Sequence, residues 1–241
     1  MDTKDGGVGA MVDAIYEAFV QFAVMEVREV FEAFRSDRDA VGELYLYRMG
    51  DVTKPLVVVH ADTVFCRPPK RQEVEREGMI VRRRLGSKEG LGADDRLGVA
   101  LLWLLLKEFP QTAFLITDKE EQHQKGALVA ARDLGDELAR YPFLLQLDRR
   151  GTQHFAHYGH VTSEFMQALR DITGFDFEKG SRTDITVLCP RVRRCGANMA
   201  IGYYKPHTAE EYVNLEHASI AYEALRKIMS KEFHEPFVWR D

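Results

Sequence analysis

The segment "PLVVVHAD" (55–62) restricts the fold more than any other stretch. It is a continuous, β-branched apolar run, too short for a helix and with no polar face. A strand of that kind must be covered by other layers on both sides, as in a sheet carrying helices on each face. Similar runs recur at "TAFLIT" (112–117) and "YPFLLQLD" (141–148). Between them lie helical patterns at 96–108 and 124–139. Strands alternating with helices imply an α/β fold: a mixed, twisted central sheet with helices on both faces, three layers in all.

The remaining pattern extends this scheme. Residues 9–36 predict one or two helices, with Met11, Ile15, Phe19, Phe22, Val27, Val30, Phe31 and Phe34 at three- and four-residue steps. Strands are expected at 43–49, 79–85, 151–161 and 195–204, and helices at 163–173 and 217–233. The segment "CRPPKRQEVEREG" reads as a loop. No Pro/Gly/Ser-rich linker divides the chain, so residues 1–241 are expected to form a single domain.

Apolar residues make up 45% of the chain, enough for a sizeable core. The net charge of −5 argues against wholesale nucleic-acid binding. Basic clusters at 67–71, 81–84 and 191–194 read as solvated faces, with recognition of an anion as the other possibility. Cys66, Cys189 and Cys195 are odd in number and form no CxxC pair, so a disulfide framework is not expected. The start of the chain lacks a basic-then-apolar leader, and the run Leu97 to Leu106 is about half of the ~20 residues a membrane span requires. A cytoplasmic protein without membrane partners is the expectation.

In open α/β sheets, ligands gather at the carboxyl ends of the strands. His60 and Asp62 follow "LVVV". Glu120 and Glu121 follow "AFLIT". Asp148 follows "FLLQL", and His207 follows "MAIGYY". Asp94 and Asp95 precede the apolar helix in "GLGADDRLGVALLWLLL" (90–106). Carboxylates and imidazoles therefore converge on one sheet edge. Such a set suits a pair of divalent ions about 3.5–4 Å apart, which need a bridging carboxylate and terminal His/Asp/Glu ligands. Zinc fits it first, with cobalt or manganese as alternatives. A glutamate outside the ligand set is then needed as a base, and "EE" supplies one of each.

The ordered motifs "HAD", "GADDRLG", "TDKEE", "LDRRG" and "PHTAEE" resemble those of the co-catalytic zinc exopeptidases, which include tripeptidases, acetylornithine deacetylase-like amidohydrolases and aminopeptidases. "GSRTDITVL" (180–188) and "NMAIGYYKPHTAEEYV" (198–213) are most similar to the tripeptidase branch. The resemblance runs from about residue 56 to 213. It implies that His60 and Asp148 are terminal ligands of one metal and that Glu121 and His207 are those of the other. Asp94 would bridge the two, joined to Asp95 by a cis peptide. Asp62 would orient His60, and Glu120 would act as general base and then acid. The implied activity is hydrolysis of an amide bond in a short peptide. An N-acyl-amino-acid deacylase or a metal-binding module without turnover are the alternatives.

The chain departs from the pattern twice. Only 36 residues separate Asp148 from Asp184, too few for the lid and dimerisation domain of the tripeptidase type. Arg182 and Thr183 replace small residues. Arg182 is a candidate clamp for a substrate carboxylate or else a surface ion pair. Tyr203 and Tyr204 are candidates for packing or for a hydrogen bond to an oxyanion. Arg149 and Arg150 would tune Asp148 or offset the carboxylates. His154, His157 and His160 make a poor chelate on a strand, because alternate residues face opposite ways. His123 reads as a bystander.

Overall fold

The computed structural model describes residues 5–37, 39–84 and 86–240. In chain order these form α1 (Asp5–Ala23), α2 (Val27–Phe34), β1 (Asp39–Val41), β2 (Tyr45–Arg48), β3 (Leu56–His60), β4 (Val74–Glu77) and β5 (Ile80–Arg83). Then come α3 (Ala93–Glu108), β6 (Phe114–Thr117), α4 (Lys125–Leu138), β7 (Leu144–Arg149), β8 (His154–His157) and α5 (Ser163–Thr173). The chain closes with β9 (Asp176–Lys179), α6 (Ile185–Val192), β10 (Gly196–Ala200), β11 (Tyr203–Tyr204), β12 (Tyr212–Asn214) and α7 (Leu215–Met229).

The central sheet has 8 strands in the order β1-β2-β6-β3-β7-β10-β8-β9. Its middle, β6-β3-β7-β10, is parallel, while β2 and β8 pair antiparallel to their inner neighbours. The run at β3 shows why the layers form. Val57 and Val59 enter a core with Phe19 of α1, Leu101 of α3 and Leu225 of α7. Leu56 and Val58 enter a second core on the opposite face, with Ala130 of α4 and Leu188 of α6. Each such side chain contributes about 1.5–3 kcal/mol on burial, so an apolar run with no polar face demands both layers. Helix α3 is buried over most of its length, as its apolar sequence predicts.

Several elements differ from the sequence expectation. The strand expected at 79–85 forms β5, but it lies outside the central sheet. It belongs to a small antiparallel sheet, β11-β12-β5-β4. Strand β4 falls in the segment read as a loop. Its sequence, "VERE", is too polar to signal a strand, and its pairing with β5 is supported by charge. Arg82 meets Glu77 at 2.6 Å, Arg83 meets Glu73 at 2.6 Å and Arg84 meets Glu75 at 2.7 Å. These pairs also account for the basic cluster at 81–84.

The single strand expected at 195–204 breaks into β10 and β11, which join different sheets. The break sits at Gly202, whose φ of +99° suits glycine. A Cβ there would lie 2.5 Å from the backbone nitrogen of Ala218. The edge strand β9 and helix α6 were not legible as elements, the first because it is short and polar, the second because Pro190 lies inside it. Among the described residues, no helix is long and apolar enough to cross a membrane.

Candidate metal centre

The candidate ligands stand where the parallel strands end. His60 closes β3 and Asp148 lies near the end of β7. Glu120 and Glu121 occupy the turn after β6, and His207 the turn after β11. Asp94 and Asp95 open α3 with non-helical backbone angles, following Gly92 at φ +75°. The Asp94–Asp95 peptide bond is cis, as the resemblance implies.

The two carboxylate oxygens of Asp94 face different imidazoles. Oδ1 lies 3.2 Å from Nε2 of His60, and Oδ2 lies 3.3 Å from Nε2 of His207. His60 Nε2 is also 3.6 Å from Asp148 Oδ1, and His207 Nε2 is 2.9 Å from Glu121 Oε1. In consequence, donor atoms of His60, Asp94 and Asp148 all lie within 4.8 Å of one another, and so do those of Asp94, Glu121 and His207. Each trio is a nitrogen-and-oxygen set that a divalent cation can gather. His60, Glu120 and Glu121 form a further close trio. Oε1 of Glu121 is buried, with the His207 ring nitrogen as its close neighbour.

Residues around these donors fix their positions. Asp62 accepts the backbone N–H groups of Glu120 at 3.0 Å and Glu121 at 3.2 Å, and its Oδ1 lies 3.3 Å from Nδ1 of His60. Asp95 is fully buried and belongs to none of the trios. Its carboxylate accepts the N–H groups of His60 and Gly98, each at 3.1 Å. Asp148 accepts the hydroxyl of Thr183 at 2.8 Å, the amide of Gln146 at 3.1 Å and the hydroxyl of Tyr203 at 3.3 Å. Glu211 accepts the N–H of Gly92 at 2.6 Å and of Asp94 at 3.2 Å. Gln124 donates to Oε1 of Glu120 at 2.9 Å and itself accepts a hydrogen bond from Nε of Arg182.

Some candidates stand elsewhere. The Tyr204 hydroxyl is 2.6 Å from Nδ1 of His217, and its ring stacks on Tyr212 outside the cleft. His154 meets Glu178 at 3.1 Å. His123 is exposed. Neither belongs to a donor trio. Gln124, Asn198 and Glu211 were not singled out from the sequence, and Thr183 was noted only as the replacement of a small residue. Their signal was the motifs in or beside which they lie, "TDKEE", "GSRTD" and "NMAIGYYKPHTAEEYV".

The site carries more carboxylate than its imidazoles can balance. Burial pushes the Asp148 carboxyl up to about 7, helped by the charge of Asp94. Burial also raises Glu120. Burial opposes ionisation of Asp94, but hydrogen bonds from His207 and His60 outweigh it and hold the group below the usual carboxylate range. Hydrogen bonds to Asp94 and Glu121 raise His207 to about 10. Burial works against a charged His60, yet its carboxylate partners raise it well above the ordinary histidine value. A cation bound here would compete with these protons, because metal ligands must be deprotonated.

No family model matches the sequence, and no curated protein matches it. Solved structures do resemble it. Aminopeptidase PepT from Bacillus cereus is 15% identical with a TM-score of 0.63, over 90% of this chain and 98% of that one. A tripeptidase from Staphylococcus aureus is 14% identical with a TM-score of 0.64, over 90% and 97%. The TET1 peptidase of Pyrococcus horikoshii is 11% identical with a TM-score of 0.64, over 91% and 99%. The chain therefore has the zinc-exopeptidase-like fold of aminopeptidases and tripeptidases.

Proposed function

We propose that this chain is a metal-dependent hydrolase of amide bonds, an exopeptidase of short peptides, working as one catalytic unit without a lid. The carrying observation is the division of Asp94 between two donor trios, with Glu120 beside them. His60, Asp94 and Asp148 would hold one divalent ion, and Asp94, Glu121 and His207 the other. Bound there, two ions (zinc first, cobalt or manganese as alternatives) would polarise the scissile carbonyl and make an attacking water more acidic.

The chain's own residues supply the proton path. Glu120 is buried, and burial raises its carboxyl, so it is suited both to take a proton from water and to give it to the leaving amine. Gln124 holds one Glu120 oxygen, and Asp62 holds the Glu120 backbone. Tyr203 and Thr183 steady Asp148. Deacylation of N-acyl amino acids by the same centre is a second reading, favoured by the arginines that line the cleft.

The test is a mixed set of short peptides and N-acyl amino acids, incubated with zinc-, cobalt- or manganese-loaded protein and with a chelator control. Products that disappear with chelator are expected. Glu120→Gln should lower turnover by about 10²–10⁴-fold with metal content unchanged. Wild-type turnover in that variant would refute the role given to Glu120. No product with any metal would refute the hydrolase reading.

A further inference from the structure

The cleft over the donor atoms, a cavity of about 230 Å³, is lined by Arg149, Arg150 and Arg182. Its acidic lining consists of Asp94, Glu120, Glu121 and Asp148, all assigned above to metal or base. No further acid lines the cleft among the described residues, so none is left to hold a free amine. Two divalent ions would balance those carboxylates and leave the arginines as the net charge.

Arg149 is already paired, with Nε 3.0 Å from Glu178. Arg150 and Arg182 are exposed, and among the described residues no carboxylate forms an ion pair with either. Arg182 does not make the surface ion pair considered from the sequence. Its Nε donates instead to the neutral side chain of Gln124. That amide in turn donates to Glu120. One side chain therefore separates an uncompensated guanidinium from the proposed base.

This geometry selects a substrate. Glu120 would return its proton to the leaving amine as the carbon–nitrogen bond breaks and the water oxygen joins the carbonyl carbon. If the leaving amine belongs to an α-amino acid, its free carboxylate sits one carbon from that nitrogen. A guanidinium offers a planar fork of N–H donors that matches a carboxylate. We infer that the cleft takes amides whose leaving half is an amino acid with a free α-carboxylate, held by Arg182 with Arg150 beside it. A peptide cut at its carboxyl end and an N-acyl amino acid share this chemistry. The inference rests on the hydrolase reading for its purpose, but its test measures binding.

The probes are acetyl-dialanine, acetylalanine and the C-terminal amide of each. Their affinities for zinc-loaded Glu120→Gln protein would be measured by calorimetry. A free acid should bind about tenfold or more tightly than its amide. Adding Arg182→Ala should bring the two within about threefold while leaving the amide unchanged. Arg182→Lys should restore part of the preference, and Arg150→Ala should reduce it. Equal affinity for acid and amide would overturn the inference. So would a preference that survives Arg182→Ala with Arg150→Ala, which would trace it to the zinc, or a failure of every probe to bind. If acetylalanine matches acetyl-dialanine, an N-acyl amino acid suffices; if it falls well behind, the substrate is a peptide, and each result supports the carboxylate site. Wild-type protein that cuts nothing would sink the hydrolase reading, while the binding preference would still stand or fall separately.

Discussion

Oδ1 of Asp62 lies 3.3 Å from the His60 ring and accepts the Glu120 N–H at 3.0 Å. One residue thus faces the His60 imidazole, whose Nδ1 also lies 3.1 Å from the Asp62 backbone carbonyl, and anchors the backbone of the proposed base. Asp62→Asn replaces one of its acceptor oxygens with a donor. We expect metal affinity or turnover to fall about 10–100-fold, as for other groups that orient a ligand. Zinc competition against a chelator and steady-state kinetics would check this, and unchanged values in both would rule out the anchoring role.

Glu211 joins the His207 turn to the start of α3. Glu211→Ala leaves the buried N–H groups of Gly92 and Asp94 without their acceptor, at a cost of about 1–3 kcal/mol. For a chain of this size each kcal/mol lowers Tm by about 2–4 °C. Zinc stoichiometry should also drop, because Asp94 and His207 share one trio. A variant with normal Tm and full zinc content would show that this link is dispensable.

The metal-free protein should lose stability as pH rises from about 5 to 9. Asp148 and Glu211 are each raised to about 7, so the folded state keeps protons that the unfolded chain releases from about pH 4 upward. The raised His60 and His207 act in the same direction, with a contribution full below about 6.5 and lost at higher pH. Asp62 and Asp94 are lowered and have the opposite effect, but only at more acid pH. Zinc needs deprotonated ligands, so the stabilisation it confers should grow over the same range. Melting curves with chelator and with zinc would show the two trends. A chelated protein whose Tm rises toward pH 9 would contradict the assignment.

Gly202 turns the chain from the central sheet into the small one. Gly202→Ala forces a side chain into a left-handed backbone and toward the Ala218 nitrogen at 2.5 Å. The backbone effect alone costs about 1–2 kcal/mol. A clear fall in Tm is expected by calorimetry, and an unchanged Tm would show that the turn relaxes freely.

Much of this protein was legible because burial on both faces is a local property of a strand. The runs at β3, β6 and β7 have no polar face, so they required layers above and below. The residues after them had to meet at one edge, and His60, Glu120, Glu121 and Asp148 do so. The polar strand β4 could not be read this way, since its partner β5 and the facing arginines supply its reason to pair.

By itself, then, the sequence determined the layered α/β fold and the gathering of imidazoles and carboxylates at the strand ends, because hydrophobic patterning acts over a few neighbouring residues. The tertiary structure alone decided which oxygen of Asp94 faces which histidine, that Glu211 braces a turn 119 residues away, and that Gln124 connects Arg182 to Glu120. Hydrogen bonds and shared donor sets depend on distances of about 3 Å between residues far apart in the chain, and only the packed layers set those distances.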